Sequence, residues 1–336
     1  MTMTYTENSP ARATSGMGAS RLAKLTIDLW LAVALVVITI AIGSVKPQLL
    51  DASNIAAMLK TFSIMTMMVL GLTWVIAAGK IDVSFMQIAA LSNMICASCV
   101  GYGWGWAIVA GLATGLFVGL VNGWLVAALR LPPLIVTIST AGICASAAAA
   151  LGKGTVIRIP DPGPVGTLLN TMLWGAVPVI VIPVLVIGAL AWFMQERLAI
   201  GRYIYAMAQN EAAVRGVGVP VGKLIILLFG LSGLSSSIAG IMLAASLSSG
   251  QPMIGGPYLI NGLTVVLLGG MMVRIGKPNI LGTMTATLFL GVLFSGAALL
   301  GLPDYQRQII QGVLLAFGLA VATVASRHQR GKKKGH

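Results

Sequence analysis

The sequence predicts an all-α protein that crosses a lipid bilayer about ten times. Mean hydropathy is +0.95 over 336 residues, with hydrophobic residues at 57% and charged ones at 9%, far outside the range of soluble domains. Apolar runs of about 20 residues, the length that spans hydrocarbon, recur along the chain. Backbone polar groups in lipid must be satisfied within their own segment, so these runs are predicted as helices. A β-barrel would need short alternating segments, which are absent.

Residues 1–20 are polar, rich in Ser and Thr and without helical period, so 1–24 is expected to be a disordered cytoplasmic N-terminus. The first run, 25–45, is too long for a signal-peptide core and lacks a small-residue cleavage site; it is expected as a retained first helix. Nine further runs follow at 55–79, 83–100, 104–128, 134–151, 176–194, 223–246, 258–273, 278–300 and 305–325, the eighth being short. They define an expected transmembrane domain over 25–325 and leave a basic cytoplasmic tail, 326–336.

The net charge of +13 invites a nucleic-acid partner, but the distribution of that charge excludes one. With a cytoplasmic N-terminus and ten alternating spans, only Lys46, Lys60, Lys153, Arg158 and Arg307 of the 21 basic residues fall outside. The other sixteen lie on the cytoplasmic side, as the positive-inside rule expects, so both termini are predicted to be cytoplasmic. The tail "SRHQRGKKKGH" is expected to lie against anionic lipid headgroups.

Within the spans, Cys96 and Cys99 form C-x-x-C, but the only histidines, His328 and His336, are in the tail, so the cysteines read as packing residues. Gly111, Gly115, Gly119 and Gly123 repeat every four residues and fall on one helix face. Such a face lets another backbone approach closely, either inside the subunit or at a seam between subunits. Tyr102, Trp104 and Trp106 read as an interfacial aromatic belt.

The eight acids, Glu7, Asp28, Asp51, Asp82, Asp161, Glu196, Glu211 and Asp304, all fall at span boundaries, in turns or in the N-terminal tail. An ion-coupled carrier usually holds a carboxylate near the midplane, and none is predicted here. The phosphate cradle G-x-x-x-x-G-K-[ST] is missing too, and no acid, base and metal ligands converge as a membrane enzyme would need. What remains is a passive facilitator or a protein driven by something it contacts. Uncharged polar residues do enter the spans, among them Asn93, Asn122, Thr137 and Asn261. They suit a route for a neutral, hydroxylated solute; alternatively they bond to their own helices and neighbours. Asn122, Asn261 and Thr137 are the candidate pathway residues.

Charge gathers in one central stretch, "GRYIYAMAQNEAAVRGVGVP" (201–220). Asn210 reads as an N-cap, Glu211 complements the positive helix end, Arg215 pairs four residues on, and Gly216 reads as the stop. Pro220 suits the first turn of the next span. The stretch thus predicts one short, fenced cytoplasmic helix with Ala212 and Ala213 near its start. It serves either as a docking element or as an amphipathic connector.

That stretch, with "VIAAGKIDVSF" (75–85), "NGWLVAALRLPPLIVTIST" (122–140) and "VVLLGG" followed by "GKPNILGT", resembles permease subunits of ribose-, xylose- and autoinducer-2-type bacterial ABC importers, a family related to branched-chain permeases. The blocks keep the family's order over roughly 25–325. The resemblance implies a permease with about ten spans in the bacterial inner membrane, translocating a monosaccharide or sugar-like solute without enzymatic activity or cofactor of its own. It implies a second permease subunit, the same or homologous, an ATP-binding cassette ATPase and a periplasmic solute-binding protein as partners. The ATPase would seat on Asn210, Glu211, Ala212, Ala213, Arg215 and Gly216, with Asp82 in the neighbouring turn. The chain departs from the family pattern at Lys80, where Gly is usual, and at Phe85-Met86. The turns at 79–84 and 269–278 both follow V-x-x-x-G, which points to two related halves. The alternative is an ion-coupled or passive sugar facilitator.

Overall fold

The computed structural model describes residues 29–274, 276–314, 316 and 320. The expected disordered segment 1–24, Asp28 and the basic tail 326–336 lie outside the described residues.

The described chain is mostly helical. In order come α1 (Trp30–Val45), α2 (Ala52–Ala77), α3 (Phe85–Cys99), α4 (Trp104–Ala127), α5 (Pro133–Leu151), α6 (Gly163–Asn170) and α7 (Val181–Arg197). Then follow α8 (Ala199–Gln209), α9 (Glu211–Gly216), α10 (Val221–Leu247), α11 (Tyr258–Gly269) and α12 (Ile280–Leu299). Residues 304–314 are helical as well. Every predicted apolar run therefore contains helix. Six of the helices are long and apolar enough to cross a membrane, seven if the bent pair α7–α8 counts as one crossing; α1 and α11 are shorter apolar helices.

The two longest helices, α2 and α10, form the centre, buried over most of their length. α10 packs against α4, α2 and α3, while α12 packs on α2 and α11. The predicted glycine face is what lets α4 in: a Cβ at Gly115, Gly119 or Gly123 would run into the α10 backbone. Of its two readings, packing inside the subunit is the one observed. Cys96 and Cys144 are buried among apolar side chains, and all three cysteines are free thiols.

Both central helices end in a non-helical connection followed by a shorter helix: 78–84 leads from α2 to α3, and 248–257 leads from α10 to α11. The segment 269–278, which follows the same V-x-x-x-G pattern as 79–84, links α11 to α12. Asn93 on α3 holds the second connection. Its amide donates to the carbonyls of Gly240 (3.3 Å) and Ser249 (3.2 Å), and its oxygen accepts from the Gln251 N–H at 2.6 Å. Two small antiparallel pairs complete the fold, β1 (Ile157–Arg158) with β4 (Ser249–Gly250) and β2 (Met172–Leu173) with β3 (Val177–Pro178).

The chain bends by 67° between α7 and α8, at Leu198, whose backbone is extended. Gly201 permits the bend, because a Cβ there would strike the Gln195 carbonyl. α8 is amphipathic: Gly201, Ile204, Tyr205 and Met207 are buried, Arg202 and Tyr203 exposed. Gln195 and Tyr205 both donate to the Pro278 carbonyl at 3.1 Å, and Gln195 accepts from the Ile280 N–H at 2.9 Å. The bend thereby grips the start of α12, which Asn279 caps through the Gly282 N–H at 2.8 Å.

Candidate functional site

The predicted central helix is α9. Asn210 has extended backbone, and its side-chain oxygen accepts from the Ala213 N–H at 3.0 Å, satisfying one of the free donors of the first turn. Arg215 donates to Glu211 Oε1 at 3.0 Å across one turn. Gly216, expected as the stop, is instead the last helical residue; the left-handed turn falls on Gly218 at φ 84°. A glycine two residues later takes the conformation that L side chains avoid.

Val214 faces the core and anchors the helix, while Asn210, Ala212, Ala213, Arg215 and Gly216 are all exposed. The small side chains of Ala212, Ala213 and Gly216 leave the helix backbone open to close approach. Val217 lies beside them, 79% exposed, an apolar residue that sequence reading missed because it falls just past the predicted helix. Glu211 differs from its neighbours. It is half-buried, and its second oxygen receives Lys80 Nζ at 2.7 Å. The Lys80 hydrogen bond, with help from Arg215, holds the Glu211 carboxyl below its ordinary range.

Asp82 requires a correction. It was expected on the docking surface, but it is 1% exposed and lies inside the bundle. One oxygen accepts from the Ser84 N–H (2.8 Å) and Ser84 Oγ (2.6 Å), the other from Ser232 Oγ on α10 (2.8 Å). Burying a carboxylate is costly unless it is well hydrogen-bonded, and here both oxygens are engaged. The local turn from Asp82 to Ser84 was readable in the sequence, but the burial was not, because it depends on Ser232, 150 residues away.

Two of the three candidate pathway residues belong to this same buried knot. Asn122 on α4 is fully buried and donates to Ser84 Oγ at 2.9 Å. Thr137 on α5, also fully buried, accepts from the Val83 N–H at 3.2 Å. In this conformation they join helices and line no open route. Asn261 is elsewhere. It lines a cavity of about 260 Å³ between α2, α11 and α12, together with Asn54, Thr61, Tyr258, Thr287 and Ser295, with Arg307 at the margin. Its amide donates to the Pro257 carbonyl at 2.9 Å, and its buried oxygen has no partner among the described residues.

Residues 54–319 match the family model described as "Branched-chain amino acid transport system / permease component". The chain is 33% identical over 304 residues to the ribose import permease protein RbsC of Escherichia coli K12, covering 86% of this chain and 91% of the relative. It is 28% identical to RbsC of Bacillus subtilis 168, over 84% of this chain and 88% of that one. It is 27% identical to the autoinducer 2 import system permease protein LsrD of Photorhabdus laumondii, over 89% and 92% respectively.

Proposed function

The chain belongs to the family of branched-chain amino acid transport system permease components, and from that premise we propose that it carries a monosaccharide or sugar-like neutral solute inward across the bacterial inner membrane, driven by a separate ATPase seated on α9. The observation that carries the mechanism is α9 itself. It is capped at Asn210, anchored by Val214 and pinned through Glu211 to Lys80, yet presents Ala212, Ala213, Arg215 and Gly216 outward. A rigid helix that exposes small side chains beside one arginine is built to transmit force from a partner surface, whereas a passive linker needs neither caps nor pins.

The complete importer on this reading pairs two permease subunits, the same or homologous, with ATP-binding cassette ATPases on the cytoplasmic side. A periplasmic solute-binding protein delivers solute to the outer face. The chain makes ten crossings with both termini cytoplasmic, supported by the sixteen-to-five division of basic residues. Nucleotide-driven closure of the ATPases moves α9 and switches access by rigid-body motion. Relatives named for ribose and autoinducer-2 import support a small hydroxylated solute. The cavity at Asn261 sets amides and hydroxyls from Asn54, Thr61, Asn261 and Ser295 against apolar walls that include Met58, Phe62, Met65 and Phe294.

An ion-coupled carrier would need a carboxylate free to exchange its ion. Asp82 is buried, but its oxygens are occupied by Ser84 and Ser232. The test is association: α9 with Glu211 and Arg215 both replaced by Ala should lose co-purification of the ATPase from membranes, and retention would contradict the reading.

A further inference from the structure

We propose that residues 79–84 form a transmission strap joining α9 to the middle of the bundle, with Lys80 as the positioning residue at its outer end. The proposal rests on the docking reading of α9 and extends it to the path by which α9 moves the core.

The outer end is the contact of Lys80 Nζ with Glu211 Oε2 at 2.7 Å. The two residues are 131 positions apart, so this contact joins separate parts of the fold. The inner end is Asp82, held by Ser232 Oγ at 2.8 Å, and Val83, whose N–H donates to Thr137 Oγ1 at 3.2 Å. Ser232 is eleven residues into α10, roughly 16 Å along its axis at the usual helical rise. A displacement applied at the cytoplasmic helix is thus delivered to the centre of α10 and to α5.

The strap has little slack. Residues 80–84 are few and non-helical, and the 2.8 Å bond from the Ser84 N–H to Asp82 folds their inner end into a fixed turn. Its departure point from α2 is fixed by Gly79, at φ 76°, where a Cβ would lie 3.2 Å from the Ala208 Cα of α8. At the inner end the carboxylate cannot slip from its donors without leaving a buried charge unpaired. A short segment pinned at both ends moves as a unit, which lets two sites couple through a contiguous element.

The experiment uses the full chain assembled in membranes with its ATPase. Spin labels are placed on the exposed positions Phe117 of α4 and Ile143 of α5, after replacement of Cys96, Cys99 and Cys144 by Ala. Adding a non-hydrolysable ATP analogue should change the inter-label distance. Lys80→Gln should abolish the change, Lys80→Arg should keep it, and Ser232→Ala together with Thr137→Val, cutting both inner contacts, should abolish it again. A change that survives Lys80→Gln, or one lost equally in Lys80→Arg, overturns the strap, as does its absence from the unsubstituted chain. Failure of the docking reading shows differently: the ATPase would then remain bound when Glu211 and Arg215 are both replaced.

Discussion

Gly115 of α4 and Gly233 of α10 pack backbone to backbone, so that a Cβ on either would collide with the other's carbonyl oxygen. This contact decides how deeply α4 enters the bundle, and through Asn122 it positions the knot around Ser84 and Asp82.

Gly115→Val should therefore destabilise the folded protein by about 1–3 kcal/mol or more, the usual range for overpacking. Thermal unfolding in detergent checks this. Gly142, with open space where its Cβ would lie, is the control, and Gly142→Ala should unfold near the original temperature.

Asp82→Ala should cost about 3 kcal/mol or more, because Ser84 and Ser232 lose their shared acceptor inside the bundle. Asp82→Asn keeps the shape and one acceptor oxygen, so the loss should be smaller. If Asp82 instead served ion coupling, both variants would fold normally and make uptake insensitive to the ion gradient.

Much of this architecture was legible because the bilayer imposes length and apolarity on each crossing. The runs around α2, α4, α5, α10 and α12 read directly as helices, and Asn210 with Arg215 bracketed α9 correctly. What escaped had no periodic signal or depended on distant partners. The two-residue strands β1 to β4 are too short to show alternation. The bend at Leu198 follows from Gly201 meeting Gln195, a contact set by tertiary geometry. Asp82 looked like a surface turn residue because its burial depends on Ser232, 150 residues away. The Lys80–Glu211 pair was invisible for the same reason, although Lys80 had stood out as a departure from the family pattern.

The charge on Glu211 gives a pH dependence with a definite sign. Its carboxyl is held below the ordinary value, chiefly by Lys80, so the stability gained from the pair is complete above the unfolded value of about 4.5 and is lost as pH falls through the lower folded value. ATPase association attributable to Glu211 should stay constant from neutral pH down to about pH 5. Glu211→Gln should weaken association across that range. A transition centred near neutrality would contradict the assignment.

Orientation is tested by labelling. Trp174, at the tip of the β2–β3 hairpin, is 91% exposed, and Arg215 is exposed on α9. With cytoplasmic termini, Trp174→Cys should react with a membrane-impermeant thiol reagent added outside intact cells, and Arg215→Cys should react only after the membrane is opened. The reverse pattern would invert the topology.

The most direct test of the whole account is solute accumulation in sealed proteoliposomes holding the permease and its ATPase, with the binding protein outside together with a radiolabelled sugar that this binding protein retains. Accumulation is predicted only with ATP on the α9 side, and it should vanish when Glu211 and Arg215 are both replaced by Ala. Accumulation driven by an ion gradient, with neither ATPase nor ATP present, would contradict the account.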